Sequence, residues 1–113
     1  MKILFLGDIV GVSGFKSVKN NLPNIILKKN IDFVCVNGEN AASEGVGLTE
    51  NIASELYNVG VDVITTGNHV WDQKEIFDFI KTENKLLRPI NMDTNLPGNG
   101  FSVFNSKKNL RVG

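Results

Sequence analysis

A chain of 113 residues, 42% hydrophobic and 21% charged, has the composition of one globular domain, able to bury roughly two-thirds of the surface its unfolded form exposes. Twelve basic residues balance twelve acidic ones, for zero formal net charge. That argues against a polyanion-binding surface, duplex nucleic acid included, because such domains carry a basic excess or stripe. A small anionic ligand stays open, since it needs only local charge.

The first apolar run, Ile3 to Leu6, lacks alternation and reads as a buried parallel strand. It is too short for a signal peptide and breaks at Gly7-Asp8. No stretch is long enough to span a membrane. After a glycine-rich turn through Gly14, helical spacing of Val18, Leu22, Ile25 and Ile26 predicts a helix over 15–29, with a kink or restart near Asn21 caused by Pro23. Phe33 to Val36 is the second strand. Its Cys35, the only cysteine, excludes an internal disulfide, reads as a small buried hydrophobe and suits a reducing compartment. A cytoplasmic location is the expectation.

Ala41 to Gly47 reads as a loop. Thr49 is the expected N-cap of a helix through Asn58, ended by Gly60. Val61 to Thr65 is the third strand, a helix covers about 73–81, and Leu86 to Ile90 is the fourth strand. Beyond the turn cluster of residues 95–100, Phe101 to Phe104 and Leu110 to Val112 read as a hairpin. The order βαβαβαβ plus hairpin gives an α/β fold with a mainly parallel sheet and flanking helices. The chain forms a single domain, and stopping on a strand-like Val112-Gly113 suggests a fragment truncated at its C-terminus, because a bare apolar strand edge invites aggregation.

Polar clusters follow three of the strands: Gly7-Asp8, Asn37-Gly38-Glu39-Asn40 and Gly67-Asn68-His69. In parallel α/β sheets ligands bind beyond the carboxyl ends of the strands. Read alone, Asp8 is a turn or cap residue and Glu39-Asn40 a solvated loop; together the three clusters gather oxygen and nitrogen donors of the kind a hydrolytic metal site uses. Gly38 suggests an unusual backbone that aims the side chains after it, and Gly67 a sharp exit from its strand. His69 is the only histidine. Trp71 and Asp72 are expected to pack and cap the next helix. Asn91-Met92-Asp93 reads as loop. The glycines of residues 7–14 match neither a dinucleotide fingerprint nor a Walker loop, which disfavours a nucleotide-binding domain. No Gly-x-Ser-x-Gly elbow supports covalent catalysis.

Gly7-Asp8, Asn37-Gly38-Glu39-Asn40-Ala41-Ala42 and Gly67-Asn68-His69-Val70-Trp71-Asp72 resemble the metallophosphoesterase (calcineurin-like) superfamily, most closely its YmdB-like branch, over the whole chain. The resemblance implies the N-terminal half of an α/β sandwich and a phosphodiesterase acting on cyclic nucleotides of the 2',3' type. It implies two divalent metal ions, iron or manganese, with Asp8 on one, Glu39 bridging both, Asn40 joining the first ion's ligands, Asn68 on the second and His69 as proton donor. A small phosphodiester is the implied partner, and self-association is left open. Two features depart from the superfamily. Asp8-Ile9-Val10 lacks the histidine of Asp-x-His, an omission the branch shares. The histidines that complete the metal shell are absent too, so the isolated chain is expected to be weakly active or inactive. The rival expectation is a truncated, non-catalytic module binding a metal or a phosphate ligand.

Overall fold

The computed structural model describes residues 1–113. β1 (Ile3–Leu6), β2 (Phe33–Asn37), β3 (Val63–Thr65) and β4 (Leu86–Leu87) form one parallel sheet in the order β1-β2-β3-β4. α1 (Gly11–Lys29), α2 (Glu50–Asn58) and the single turn α3 (Ile76–Phe79) connect them in succession. β5 (Phe104–Asn105) and β6 (Arg111–Val112) pair antiparallel. The parallel α/β architecture is the expected one.

Register divides the sheet into two unlike faces. Leu4, Val34, Val36, Ile64 and Leu86 alternate onto one side, where they meet α1 and α2 through Leu22, Ile26, Ala53 and Leu56. Val34, Val36, Ile64 and Leu86 are completely buried there. The opposite side carries Ile3, Phe5, Phe33, Cys35 and Val63. β5 covers part of it, with the Phe104 ring 6.0 Å from that of Phe33, but Ile3 and Phe5 remain 50% and 62% exposed. The shortest dimension, 19 Å, matches one helix layer on one sheet at about 10 Å each.

Several boundaries differ from the sequence expectation. α1 starts at Gly11, four residues early, because Gly14 packs against Ile9 and the Gly14 amide already donates to Val10 O at 3.1 Å. Pro23 lies inside α1 without ending it; it is on the exposed side, where the lost hydrogen bond falls outside the core. Asn30 closes α1 in the left-handed region, at φ 51°. The Thr49 cap is as expected, its Oγ1 accepting from Ile52 N at 3.2 Å. The third helix shrinks to one turn, and the fourth strand and the hairpin strands to two residues each.

Two aspartates fasten the amino end of the sheet. Asp62 accepts from Val34 N at 2.7 Å. Asp32, buried to 5% exposure, accepts from Lys2 N at 2.7 Å and from Lys108 Nζ at 3.1 Å, while its own carbonyl accepts from Lys107 N. These bonds tie β1 to the hairpin. The Lys2 amide and then the Lys108 ammonium hold the Asp32 carboxyl below its ordinary value. No helix is long and apolar enough to cross a membrane.

Candidate metal centre

At the carboxyl edge, backbone pairing continues past the strands into the loops. Ile9 N donates to Asn37 O at 3.1 Å, Gly11 N to Asn40 O at 2.8 Å and Gly38 N to Thr65 O at 3.0 Å. Val10 and Asn40 form a parallel bridge. Gly7 allows the close approach of β1 to β2, since a Cβ there would lie 3.2 Å from Asn37 Cβ. The loops carrying Asp8, Glu39 and Asn40 are therefore laced together through main-chain atoms.

The side chains follow. Asn40 Nδ2 donates to Asp8 Oδ2 at 2.7 Å, which orients the carboxamide and leaves Asn40 Oδ1 buried with no partner. Glu39 Oε2 is likewise buried and unpartnered. Its carboxylate lies directly against Gly67: a Cβ on that glycine would fall 1.6 Å from Oε2 and 2.6 Å from Cδ. Gly67 thus does more than release the chain from β3; it leaves room for the Glu39 carboxylate. Gly38 departs from expectation, because its φ is not in the positive region. A Cβ there would sit 3.0 Å from Ile64 Cγ2, so this glycine answers a packing demand.

Asn68 and His69 leave β3 in a tight turn, with Val70 N donating to Gly67 O at 3.2 Å and Val70 fully buried beneath them. Asn68 is exposed and His69 half-buried. His69 does not pair with Asp8, Glu39 or Asn40; its Nδ1 meets Asp72 Oδ2 at 2.6 Å. This corrects the expectation for Asp72, since Glu75 stands at the N-cap of α3. Trp71 does pack as expected, 5.6 Å from the Phe77 ring. Asn91-Met92-Asp93 is a turn, with Asp93 accepting from Asn95 N. Cys35 is half-buried on the open face, where burial pushes its thiol up.

A buried acceptor without a donor costs about 1–3 kcal/mol, and two of them side by side on neighbouring residues, Glu39 and Asn40, suit a cation. The donors brought together are hard oxygens, two carboxylates and the Asn40 carboxamide, which fit a divalent ion such as manganese, magnesium or iron. No three His, Cys, Asp or Glu side chains come together in this chain to hold a metal by themselves. The residues present therefore fit as part of a coordination shell.

Asp8, Glu39 and Asn40 come together at the ends of β1 and β2, against Gly67 at the end of β3, on the sheet edge where parallel α/β folds bind their ligands; no hydrogen bond joins the exposed Asn68 to them. A sequence profile described as YmdB-like protein matches residues 4–113, and the chain belongs to that family. A 2',3'-cyclic-nucleotide 2'-phosphodiesterase of Bacillus subtilis (strain 168) is 49% identical over 113 residues, covering 99% of this chain and 42% of that protein. The crystal structure of a hypothetical protein from Thermus thermophilus superposes with a TM-score of 0.85 at 38% identity, over 93% of this chain and 40% of that one. A novel phosphatase from Mycoplasma pneumoniae gives a TM-score of 0.84 at 40% identity, over 93% and 38%. The chain spans about two-fifths of the length of these relatives.

Proposed function

We propose that this chain supplies one part of a two-metal centre that hydrolyses cyclic phosphodiesters of the 2',3'-nucleotide type. The observation that carries the reading is the pair of buried, unpartnered oxygens, Glu39 Oε2 and Asn40 Oδ1, beside Asp8. In this reading Asp8, Glu39, Asn40 and Asn68 would be this chain's share of the metal donors, with Glu39 the carboxylate that would be shared by both ions. Iron or manganese suits the set. Ions held there would supply an activated water and neutralise charge on the phosphoryl oxygens.

The chain's own residues do the rest. Asn40 spends its amide hydrogen on Asp8, so its oxygen is the atom presented to the cation. Gly67 keeps the Glu39 carboxylate from being pushed outward. Neutral carboxamides at Asn40 and Asn68 keep the donor set less negative than four carboxylates would, which favours an anionic substrate. His69 is the proton donor to the departing alkoxide, the role imidazolium fills in general acid catalysis.

Hydrolysis of bis-p-nitrophenyl phosphate and 2',3'-cyclic AMP with added manganese tests the proposal. Weak metal-dependent turnover that disappears in Glu39→Gln is the expected result, and turnover retained in that variant refutes the bridging role. A second reading, a module that binds metal or phosphate without turnover, is favoured by the single histidine and the incomplete donor set. Manganese-binding heat with no hydrolysis distinguishes it.

A further inference from the structure

His69 and Asp72 form a contact that neither helix capping nor metal ligation explains. Their Nδ1 and Oδ2 atoms are 2.6 Å apart, within the range of a charge-assisted hydrogen bond. A carboxylate only accepts, so Nδ1 carries the hydrogen. Nε2 is then the ring atom left for a bound molecule. The two side chains are 37% and 41% exposed, so the pair stands at the rim of the strand edge.

Asp72 is anchored on both sides. Val70 is fully buried, and the Asp72 amide donates to His69 O at 3.2 Å. Opposite them lies Gly47, at φ +79°; a Cβ there would come within 3.3 Å of Asp72 Cβ and 2.7 Å of Gln73 Cγ. Gln73 Nε2 donates to Val46 O at 3.0 Å. The loop after β2 thus clamps the segment that carries the carboxylate.

We propose that Asp72 is a positioning residue for His69: by holding the hydrogen on Nδ1 it leaves Nε2 as the ring nitrogen that faces the substrate, the one that gains a proton in the imidazolium and delivers it to the leaving group. The use of Nε2 rests on the phosphodiesterase reading; the pairing itself does not. An exposed ion pair adds little to stability, so the purpose of the contact is orientation.

His69 is the only histidine, so one imidazole spin system appears in long-range ¹H–¹⁵N spectra of the labelled chain. Recorded at alkaline pH without metal or substrate, the wild type is expected to show a protonated Nδ1 and an unprotonated Nε2. Asp72→Ala is expected to shift the ring to the Nε2–H form that an unrestrained histidine prefers. Asp72→Asn, whose carboxamide oxygen still accepts, is expected to restore the Nδ1–H pattern. A wild-type ring in the Nε2–H form overturns the proposal, as does an Nδ1–H pattern that persists in Asp72→Ala. Amide spectra establish that each variant is folded. The hydrolysis assay reports separately on the functional reading, so the two failures are distinguishable.

Discussion

Gly67→Ala adds one methyl group at the tightest contact of the strand edge. Its Cβ would lie 1.6 Å from Glu39 Oε2, whereas real Cβ contacts stay beyond 3.0 Å. The carboxylate must withdraw by the difference, about 1.4 Å (3.0 minus 1.6). Glu39 is only half-buried and has solvent to move into, so the stability loss falls near the lower end of the roughly 1–3 kcal/mol typical of overpacking. For a domain of this size that lowers the thermal midpoint by roughly 4–8 °C. The effect on a metal site is larger in proportion, since disturbing the groups that orient a ligand costs roughly 10–100-fold in metal affinity. Calorimetric titration with manganese, paired with a thermal melt, measures both. A cooperative melt a few degrees lower and a manganese affinity roughly 10–100-fold weaker, equal to that of Glu39→Gln, are expected. A folded Gly67→Ala chain that binds manganese as the wild type does would refute the argument that this glycine seats the Glu39 carboxylate for a cation.

Thr49→Ala removes the Oγ1 acceptor for Ile52 N and is expected to cost about 1 kcal/mol in urea unfolding. Ile64→Ala empties a fully buried position between β2 and β4 and is expected to cost about 2–5 kcal/mol, with the m-value unchanged. Asp32 titrates below the usual 3.8 because of the Lys2 amide and Lys108, so its stabilisation is present above that value and fades as pH falls through the lowered one. Urea midpoints should therefore put the wild type above Asp32→Asn near neutrality, with the gap closing in acid; a gap independent of pH would count against the assignment. Phe5→Ser, at a 62% exposed site on the open sheet face, should leave the melt nearly unchanged while lowering concentration-dependent light scattering.

The parallel strands and both long helices were legible because their signals are local: unbroken apolar runs, helical spacing at Val18, Leu22 and Ile26, and a threonine cap. Composition could not reveal that Gly11 and Gly14 belong to α1, since glycine reads as a breaker until Ile9 is seen against Gly14. The third helix misled for the opposite reason: Ile76, Phe77 and Ile80 have the right spacing, yet only one turn forms. At the site, residue identity pointed to Asp8, Glu39, Asn40, Asn68 and His69, but two relations are tertiary. Nothing in Gly67 alone announces the Glu39 carboxylate beside it. Asp72 was assigned to the following helix, although its three-residue spacing from His69 in a turn was the available hint. An Asp stands at the entrance of β2 and of β3, Asp32 and Asp62, and this repeat is the local trace of the bonds that fasten the amino end of the sheet.

The main-chain bonds that run from Ile9, Gly11 and Gly38 into neighbouring loops have a consequence for how this edge behaves over time. Loops held by ladder bonds open only when the sheet does, so those amides belong to the same cooperative unit as β1, β2 and β3 and exchange with solvent at its pace. Asp8, Glu39 and Asn40 are thereby held together with no ion present, unlike the ligands of a metal finger that folds around its ion. A cation would gain affinity from that prior order, and its binding would slow hydrogen exchange across the whole sheet instead of quieting one loop.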